Sequence, residues 1–227
     1  MQNAPIPKSD YLIPAGLTVV ALIPALAGTV RLVGLAQGGP VTAANAHFFA
    51  QPLPVILHII GAVLFCFVGA WQFSPGLRRR HLRWHKLAGR VVLPAGLIAA
   101  ASGLWMALFY AIVPADNALL HALLHALLHA LRLIFGIGMF VSLCLGLAAI
   151  LRRDIANHRV WMMRGYAIGL GAGTQAFTML PWVIAFGLPA PMPYAILMGA
   201  GWIINLAVAE YFIRRTIRRP VARVQMA

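Results

Sequence analysis

The chain alternates between long apolar stretches and short segments that carry most of its charged residues. A helix needs about 20 apolar residues to cross the roughly 30 Å hydrocarbon core of a bilayer, and six stretches are long enough. We predict spans at about residues 11–33, 53–73, 91–113, 133–151, 165–186 and 194–213. None of them shows the period-two alternation of an amphipathic strand. The pattern therefore predicts an all-α protein, a polytopic transmembrane helical bundle of six spans in a single domain over residues 1–227.

Lysine and arginine fall mainly on one side of this predicted bundle. Of the 18 basic residues, all but Arg31 and Arg132 lie in the two terminal segments or in the loops after spans 2 and 4. Because positive residues collect on the cytoplasmic face during insertion, this distribution predicts that both termini are cytoplasmic. The net charge of +14 then faces the anionic phospholipids of the bilayer, and no nucleic-acid partner is expected.

Carboxylates are scarce, with four aspartates and glutamates in the whole chain. The interiors of the predicted spans hold none, since Glu210 lies near an inner end beside Arg214. No catalytic set of nucleophile, base and acid is visible, and both hydrolase chemistry and carboxylate-driven proton coupling are disfavoured. Whether the chain is an enzyme stays open, and the first function class to consider is an accessory or binding protein.

A four-residue unit repeats before span 4, where residues 121–135 read HALLHALLHALRLIF. The spacing places His121, His125 and His129 along one helix face. We predict an unbroken helix from Asp116 to the end of span 4, with the histidines at or beyond the outer interface. Such a stripe could chelate a divalent metal, anchor the helix at the interface or sense pH. We favour duplication of a short DNA segment without a dedicated function, because the unit repeats almost letter for letter.

The two inner loops share a more informative pattern. They read RRRHLRWHKLAGR and RRDIANHRVWMMR, and in each a histidine (His85 or His158) lies five residues after an arginine pair. Arg90 and Arg164 follow where the next spans begin, and Gln72 ends span 2. If the two hairpins are structural repeats, the histidines lie at equal depth. We predict that these five side chains form one cytoplasmic-boundary site for an anionic lipid head group or ligand. The alternative is a set of solvated positive charges.

Four segments of the chain resemble a known family. They are HIIG at residues 58–61, QFSPGLRRR at 72–80, HKLAGR at 85–90 and RRDIANHRVWMMRGYA at 152–167. Together they resemble the bacterial membrane family catalogued as domain of unknown function 2306, over about residues 53–185. The resemblance implies a multi-pass protein of the bacterial inner (cell) membrane and supplies no reaction. The family pattern carries an arginine inside the fifth span, where this chain has Gln175; whether Gln175 replaces a functional arginine stays open.

His58 is a further candidate, because it lies about 8 Å inside the hydrocarbon from the outer end of span 2. A buried imidazole at that depth needs a hydrogen bond or something to ligate. One interpretation is a hydrogen bond to a backbone carbonyl or a hydroxyl across a helix contact. The other is a ligand to haem b or to a transition metal, so the cofactor is left open. For a haem, His129 is the nearest second imidazole, and it lies roughly 10 Å too high along its helix.

Three function classes remain from the sequence. The first is an accessory or binding protein with the His/Arg cluster at the cytoplasmic boundary. The second is a redox membrane protein that binds haem or a transition metal through His58. The third is a transporter. A membrane protein partner or a homo-oligomer is compatible with each of them.

Overall fold

The fold is taken from a computed structural model, which describes residue 7, residues 9–110 and residues 118–217, with side chains for residues 7, 10–110 and 126–215. The described residues are helical and contain no strand, so the predicted all-α class is confirmed. The elements are α1 (Ser9–Ala36), α2 (Ala46–Ala50), α3 (Pro52–Ala70), a 3₁₀ turn (Trp71–Phe73), α4 (Pro75–Arg80), α5 (Leu82–Phe109), α6 (Ala118–Leu151), α7 (Ile155–Gly169), α8 (Gly171–Phe186) and α9 (Pro191–Ile217).

The predicted number of membrane spans agrees with the helices. Five are long and apolar enough to cross a membrane, and α7 with α8 makes a sixth if that pair, bent by 41°, is counted as one span. The fifth span differs from the prediction, because its helix begins ten residues earlier, at Ile155, and is broken at Leu170. Groups from other helices pack closely beside the break. A Cβ at Gly171 would collide with the Trp202 ring, and one at Gly173 would collide with the Val20 carbonyl.

Small residues let the helices approach closely at the centre of the bundle. A Cβ added at Gly61 of α3 would lie 2.8 Å from the Ala95 carbonyl oxygen of α5. Such contacts matter in lipid, where helices associate through close packing rather than through the hydrophobic effect. Phe65 and Leu143 are fully buried at this level and fill the space between the small residues.

Charged residues define one end of the bundle. We call the end formed by α4, the start of α5, the connection between α6 and α7, and the end of α9 the basic end. Asp10 at the start of α1 lies 3.7 Å from Arg79 of α4, and Glu210 near the end of α9 pairs with Arg164 of α7. Both ends of the described chain therefore meet at the basic end, as an even number of spans requires. That the basic end is cytoplasmic stays a prediction.

Helix α6 contains the repeated histidine segment. It runs unbroken from Ala118 to Leu151, over 34 residues, which is longer than the bilayer core requires. The prediction of a continuous helix is confirmed over this range, and the proposed cap Asp116 lies outside the described residues.

Candidate functional site at the basic end

The buried ring of Phe65 gives a common reference point for the depths of His85 and His158 in the bundle. Its ring fills the space beside Gly96 of α5 and Gly169 of α7, where an added Cβ would meet it at 2.5 Å and 2.6 Å. His85 precedes Gly96 by eleven residues along α5, and His158 precedes Gly169 by the same interval along α7. Eleven residues make about three turns and about 16 Å of helix. Each histidine therefore lies on the same helix face as its glycine, and the two histidines lie at similar depth.

Gln72 approaches the same level from α3. It follows Phe65 by seven residues, or about two turns, and so lies on the same face where α3 continues into the 3₁₀ turn. Ser74 then caps α4, because its buried hydroxyl accepts a hydrogen bond from the backbone N–H of Leu77 at 3.2 Å. The Nε2 atom of Gln72 is buried and has no hydrogen-bond partner among the described residues. A buried amide without a partner is rare, because it loses its bonds to water without replacement.

His85 has the same property. The residue is half-buried, and its Nδ1 atom is buried without a hydrogen-bond partner in the described part of the chain. Arg78 of α4 and His158 of α7 are close enough for their charges to act on the His85 imidazole. The structure therefore brings Arg78 and His158 into the neighbourhood of His85.

His158 is held in a defined tautomer. Its Nδ1 atom lies 2.8 Å from the Gly146 carbonyl oxygen of α6. Since a carbonyl only accepts hydrogen bonds, Nδ1 carries the hydrogen. The Nε2 atom of a neutral His158 is then an acceptor, and it becomes a donor only when the ring takes up a second proton.

Two arginines that the sequence did not single out belong to this cluster. Arg78 is half-buried, and burial together with the neighbouring cations Arg159 and Arg79 lowers the pKa of its guanidinium from the ordinary value. Arg159 is exposed and follows His158 directly in α7. The repulsion between these cations is the electrostatic signature of a site that favours an anion. A helical-wheel comparison of the RRR segment could have separated Arg78 from its neighbours, since it is the least exposed of the three.

Two other predicted members lie elsewhere. Arg90 follows His85 by five residues, which is about 140° around the helix, and it is exposed away from the buried face of α5. Arg164 donates from Nε to Glu210 at 2.5 Å and lies over the Trp161 ring at 4.8 Å. The folded bundle brings α9 against α7 and so gives Arg164 an acidic partner that its position in the sequence did not indicate.

Each carboxylate among the described residues contacts a group outside this cluster, although Asp10 Oδ2 is buried and accepts no hydrogen bond. The contacts are Asp10 with Arg79, Asp154 with the backbone and side-chain amides of Asn157, and Glu210 with Arg164. The cluster of Gln72, Arg78, His85, His158 and Arg159 thus receives no carboxylate partner from the described part of the chain. We call these five residues the basic-end cluster.

His58 makes the hydrogen bond that one of the two interpretations expected. Its Nδ1 atom lies 2.8 Å from the Ala99 carbonyl oxygen of α5. A Cβ added at Gly103 would lie 3.1 Å from the His58 ring, so the ring packs closely against this glycine. The same carbonyl oxygen also accepts a hydrogen bond from Ser102 at 3.2 Å. The bond fixes hydrogen on Nδ1 and leaves Nε2 unprotonated in the neutral ring.

The repeated histidines contribute little to the described geometry. The backbone at His121 and His125 is helical, and their side chains lie outside the described residues. His129 is half-buried on α6. Within the described part of the chain, no group of three or more histidine, cysteine or acidic side chains is placed to hold a metal ion.

Gln175 has a structural contact in α8. The residue is buried, and its Nε2 atom donates to the Met198 carbonyl of α9 at 3.0 Å. Nearby, Asn205 donates to the Ala167 carbonyl at 3.0 Å and accepts from Thr174 at 2.7 Å. These amides join α9 to both sides of the break at Leu170, where helix carbonyls would otherwise lack partners.

Comparison with known proteins adds one finding. A model of the family described as predicted membrane protein (DUF2306) matches residues 55–213. The match extends from α3 into α9 and contains the whole basic-end cluster. No curated protein and no solved structure matches the chain.

Proposed function

The chain belongs to the DUF2306 family of predicted membrane proteins, and we propose that it is an accessory or binding protein that holds an oxyanion in the basic-end cluster. Three buried side-chain polar atoms among the described residues have no hydrogen-bond partner: Gln72 Nε2, His85 Nδ1 and Asp10 Oδ2. The two nitrogens carry the proposal, because they lie at the same end of the bundle as the cations Arg78 and Arg159. Such atoms are costly to bury unless a ligand completes their hydrogen bonds.

The chemistry of the cluster favours an oxyanion over a metal cation. Gln72 and Arg78 present N–H donors, and the guanidinium of Arg78 remains charged at physiological pH. A metal cation would be repelled by Arg78 and Arg159, whereas a phosphate or sulfate group would reduce the repulsion between them. We place the basic end at the cytoplasmic face, where anionic lipid head groups are concentrated. The oxyanion can come from such a head group or from a free anion.

Binding of defined probes tests the proposal. Sulfate binding to the detergent-purified protein is measured by calorimetry, and lipid binding is compared in nanodiscs of phosphatidylglycerol and phosphatidylcholine. A charge-assisted hydrogen bond contributes about 1.5–3 kcal/mol, so Arg78→Gln should weaken anion binding roughly tenfold or more.

Arg90→Gln is the matched control, because it removes the same charge from an exposed site at the same end of the bundle. Its effect on affinity should be less than about threefold, since exposed charges are screened. Equal losses in the two variants would show that the anion responds to general surface charge and would refute the site.

A second candidate function is haem or transition-metal binding at His58. The bond from Nδ1 to Ala99 supports it, because a ligating histidine commonly donates its other ring N–H to a carbonyl and coordinates through Nε2. The test is an absorption spectrum with elemental analysis of the purified protein and of His58→Ala. A Soret band or a stoichiometric metal that is lost in the variant is the expected result, and a colourless, metal-free protein after expression with added haem and metal would refute this function.

A transporter is the third candidate. The break between α7 and α8 supports it, because interrupted helices occur at the binding sites of many transporters. Uptake of radiolabelled sulfate into proteoliposomes, compared with protein-free liposomes, is the corresponding test. Equal uptake by the two preparations would count against sulfate transport.

A further inference from the structure

We propose that the basic-end cluster binds its oxyanion together with a proton, with His158 as the proton acceptor and His85 as its coupled neighbour. This inference rests on the proposed function and adds a second ligand, the proton, to the same site. Its consequence is that anion affinity rises as the pH falls through the range in which histidine titrates.

The hydrogen bond of His158 makes the proton necessary for an anion contact. Nδ1 donates to the Gly146 carbonyl of α6 at 2.8 Å, so the neutral ring presents a lone pair at Nε2. An oxyanion facing that lone pair is repelled. A protonated His158 keeps the bond to Gly146 and presents an Nε2–H donor as well, so only the cation can bind the anion directly.

Protonation of His85 is coupled to protonation of His158 and to anion binding. Its buried Nδ1 atom has no partner among the described residues, and the charges of Arg78 and His158 both act on its ring. Protonation of either histidine is opposed by the cations around it while the site is empty. A bound anion supplies the missing countercharge, so proton binding and anion binding favour each other.

No carboxylate among the described residues forms a hydrogen bond or an ion pair with His85 or His158. The permanent cations are Arg78 of α4 and Arg159 of α7, with Arg79 beside Arg78. Asp10 of α1 pairs with Arg79, and Glu210 of α9 pairs with Arg164. Asp154, which precedes α7, accepts the hydrogen bonds of Asn157. Asp10 and Glu210 therefore face arginines outside the cluster, and Asp154 is exposed to solvent, which screens its charge.

Sulfate is the probe, because its charge does not change between pH 5.5 and 7.5. Its dissociation constant for the purified protein is measured by calorimetry at both ends of this range and at pH 6.5. If one proton accompanies the anion, affinity should increase up to about tenfold per pH unit in the titrating range. Calorimetry at pH 6.5 in two buffers of different ionisation enthalpy counts the protons directly, and about 0.5–1 proton per sulfate is expected. This count needs no variant.

Two variants locate the proton. His158→Gln supplies a neutral N–H donor and should bind sulfate with little dependence on pH. His81→Gln is the matched control, because His81 is an exposed histidine at the same end of the bundle, at the start of α5. This control should retain the pH dependence of the natural chain. If His158→Gln keeps the full pH dependence, the inference is refuted, whatever the control does.

The outcomes separate the inference from the proposed function. Sulfate binding that needs Arg78 but takes up no proton overturns the inference and leaves the anion site in place. A protein that binds phosphatidylglycerol but not sulfate is tested by the same pH series in nanodiscs, and a flat series there also overturns it. Absence of binding to both probes at every pH removes the proposed function and the inference together.

Discussion

Replacement of Gly96 by alanine should destabilise the bundle through a collision with Phe65. The added Cβ would lie 2.5 Å from the Phe65 ring and 2.9 Å from Leu143. Phe65 and Leu143 are both fully buried, so neither side chain can turn outward. Overpacking of a filled interior costs about 1–3 kcal/mol. Alanine offsets part of this cost, because it favours the helix over glycine by up to about 1 kcal/mol.

Gly89→Ala separates the two effects. Gly89 lies in the same helix α5, and an added Cβ there would meet nothing within 4 Å. Both variants receive the same change in helix propensity, so their difference measures the collision. We expect Gly96→Ala to be less stable than Gly89→Ala by about 1–3 kcal/mol. The measurement is equilibrium unfolding in mixed micelles with increasing sodium dodecyl sulfate, followed by circular dichroism.

A third variant tests whether Phe65 is the cause. Phe65→Leu shortens the side chain opposite Gly96, so the double variant should recover part of the loss, with a coupling energy of about 0.5 kcal/mol or more. Equal stability of Gly96→Ala and Gly89→Ala would refute the packing argument. It would also remove the reference level from which the depths of His85 and His158 are inferred.

Three further predictions concern the basic end. Arg164 and Glu210 are each about one-third exposed at the side chain, so a double-mutant cycle with Arg164→Gln and Glu210→Gln should give a coupling of about 1 kcal/mol or less, and a value near zero would show that the pair is loose. Hydrogen bonds from the start of α7 lower the pKa of Asp154. The ionised Asp154 therefore stabilises the fold above its unfolded-state pKa, and this stabilisation is lost as the pH falls through its folded-state pKa. Asp154→Ala should accordingly reduce the acid sensitivity of unfolding. Lys86→Cys should react with an impermeant maleimide only from the cytoplasm and Gln37→Cys only from outside, and the reverse pattern would overturn the orientation.

The span count and the basic end could be predicted because their causes are local in the sequence. The thickness of the bilayer sets the length of an apolar run, whichever helix lies beside it. The segments between the runs carry their charge in the sequence itself. The continuity of α6 followed in the same way, since no proline interrupts residues 118–151.

The break at Leu170 could not be predicted, because glycine-rich residues 169–173 permit either a straight or an interrupted helix. Trp202 and Val20 occupy the space beside Gly171 and Gly173, and both belong to other helices. The close packing at the break thus involves segments that are distant in sequence.

The candidate site also combines features that are local in the sequence with features that depend on helix packing. Gln72, His85 and His158 were identified because depth in a membrane follows from distance along a helix. Arg90 and Arg164 were assigned to the cluster from depth alone; Arg164 pairs with Glu210, and Arg90 lies about 140° around α5 from His85. Depth does not determine which way a side chain faces, and that direction depends on which stripe of each helix packs inward. Packing between helices sets this direction: α9 places Glu210 against Arg164, and the buried face of α5 leaves Arg90 exposed.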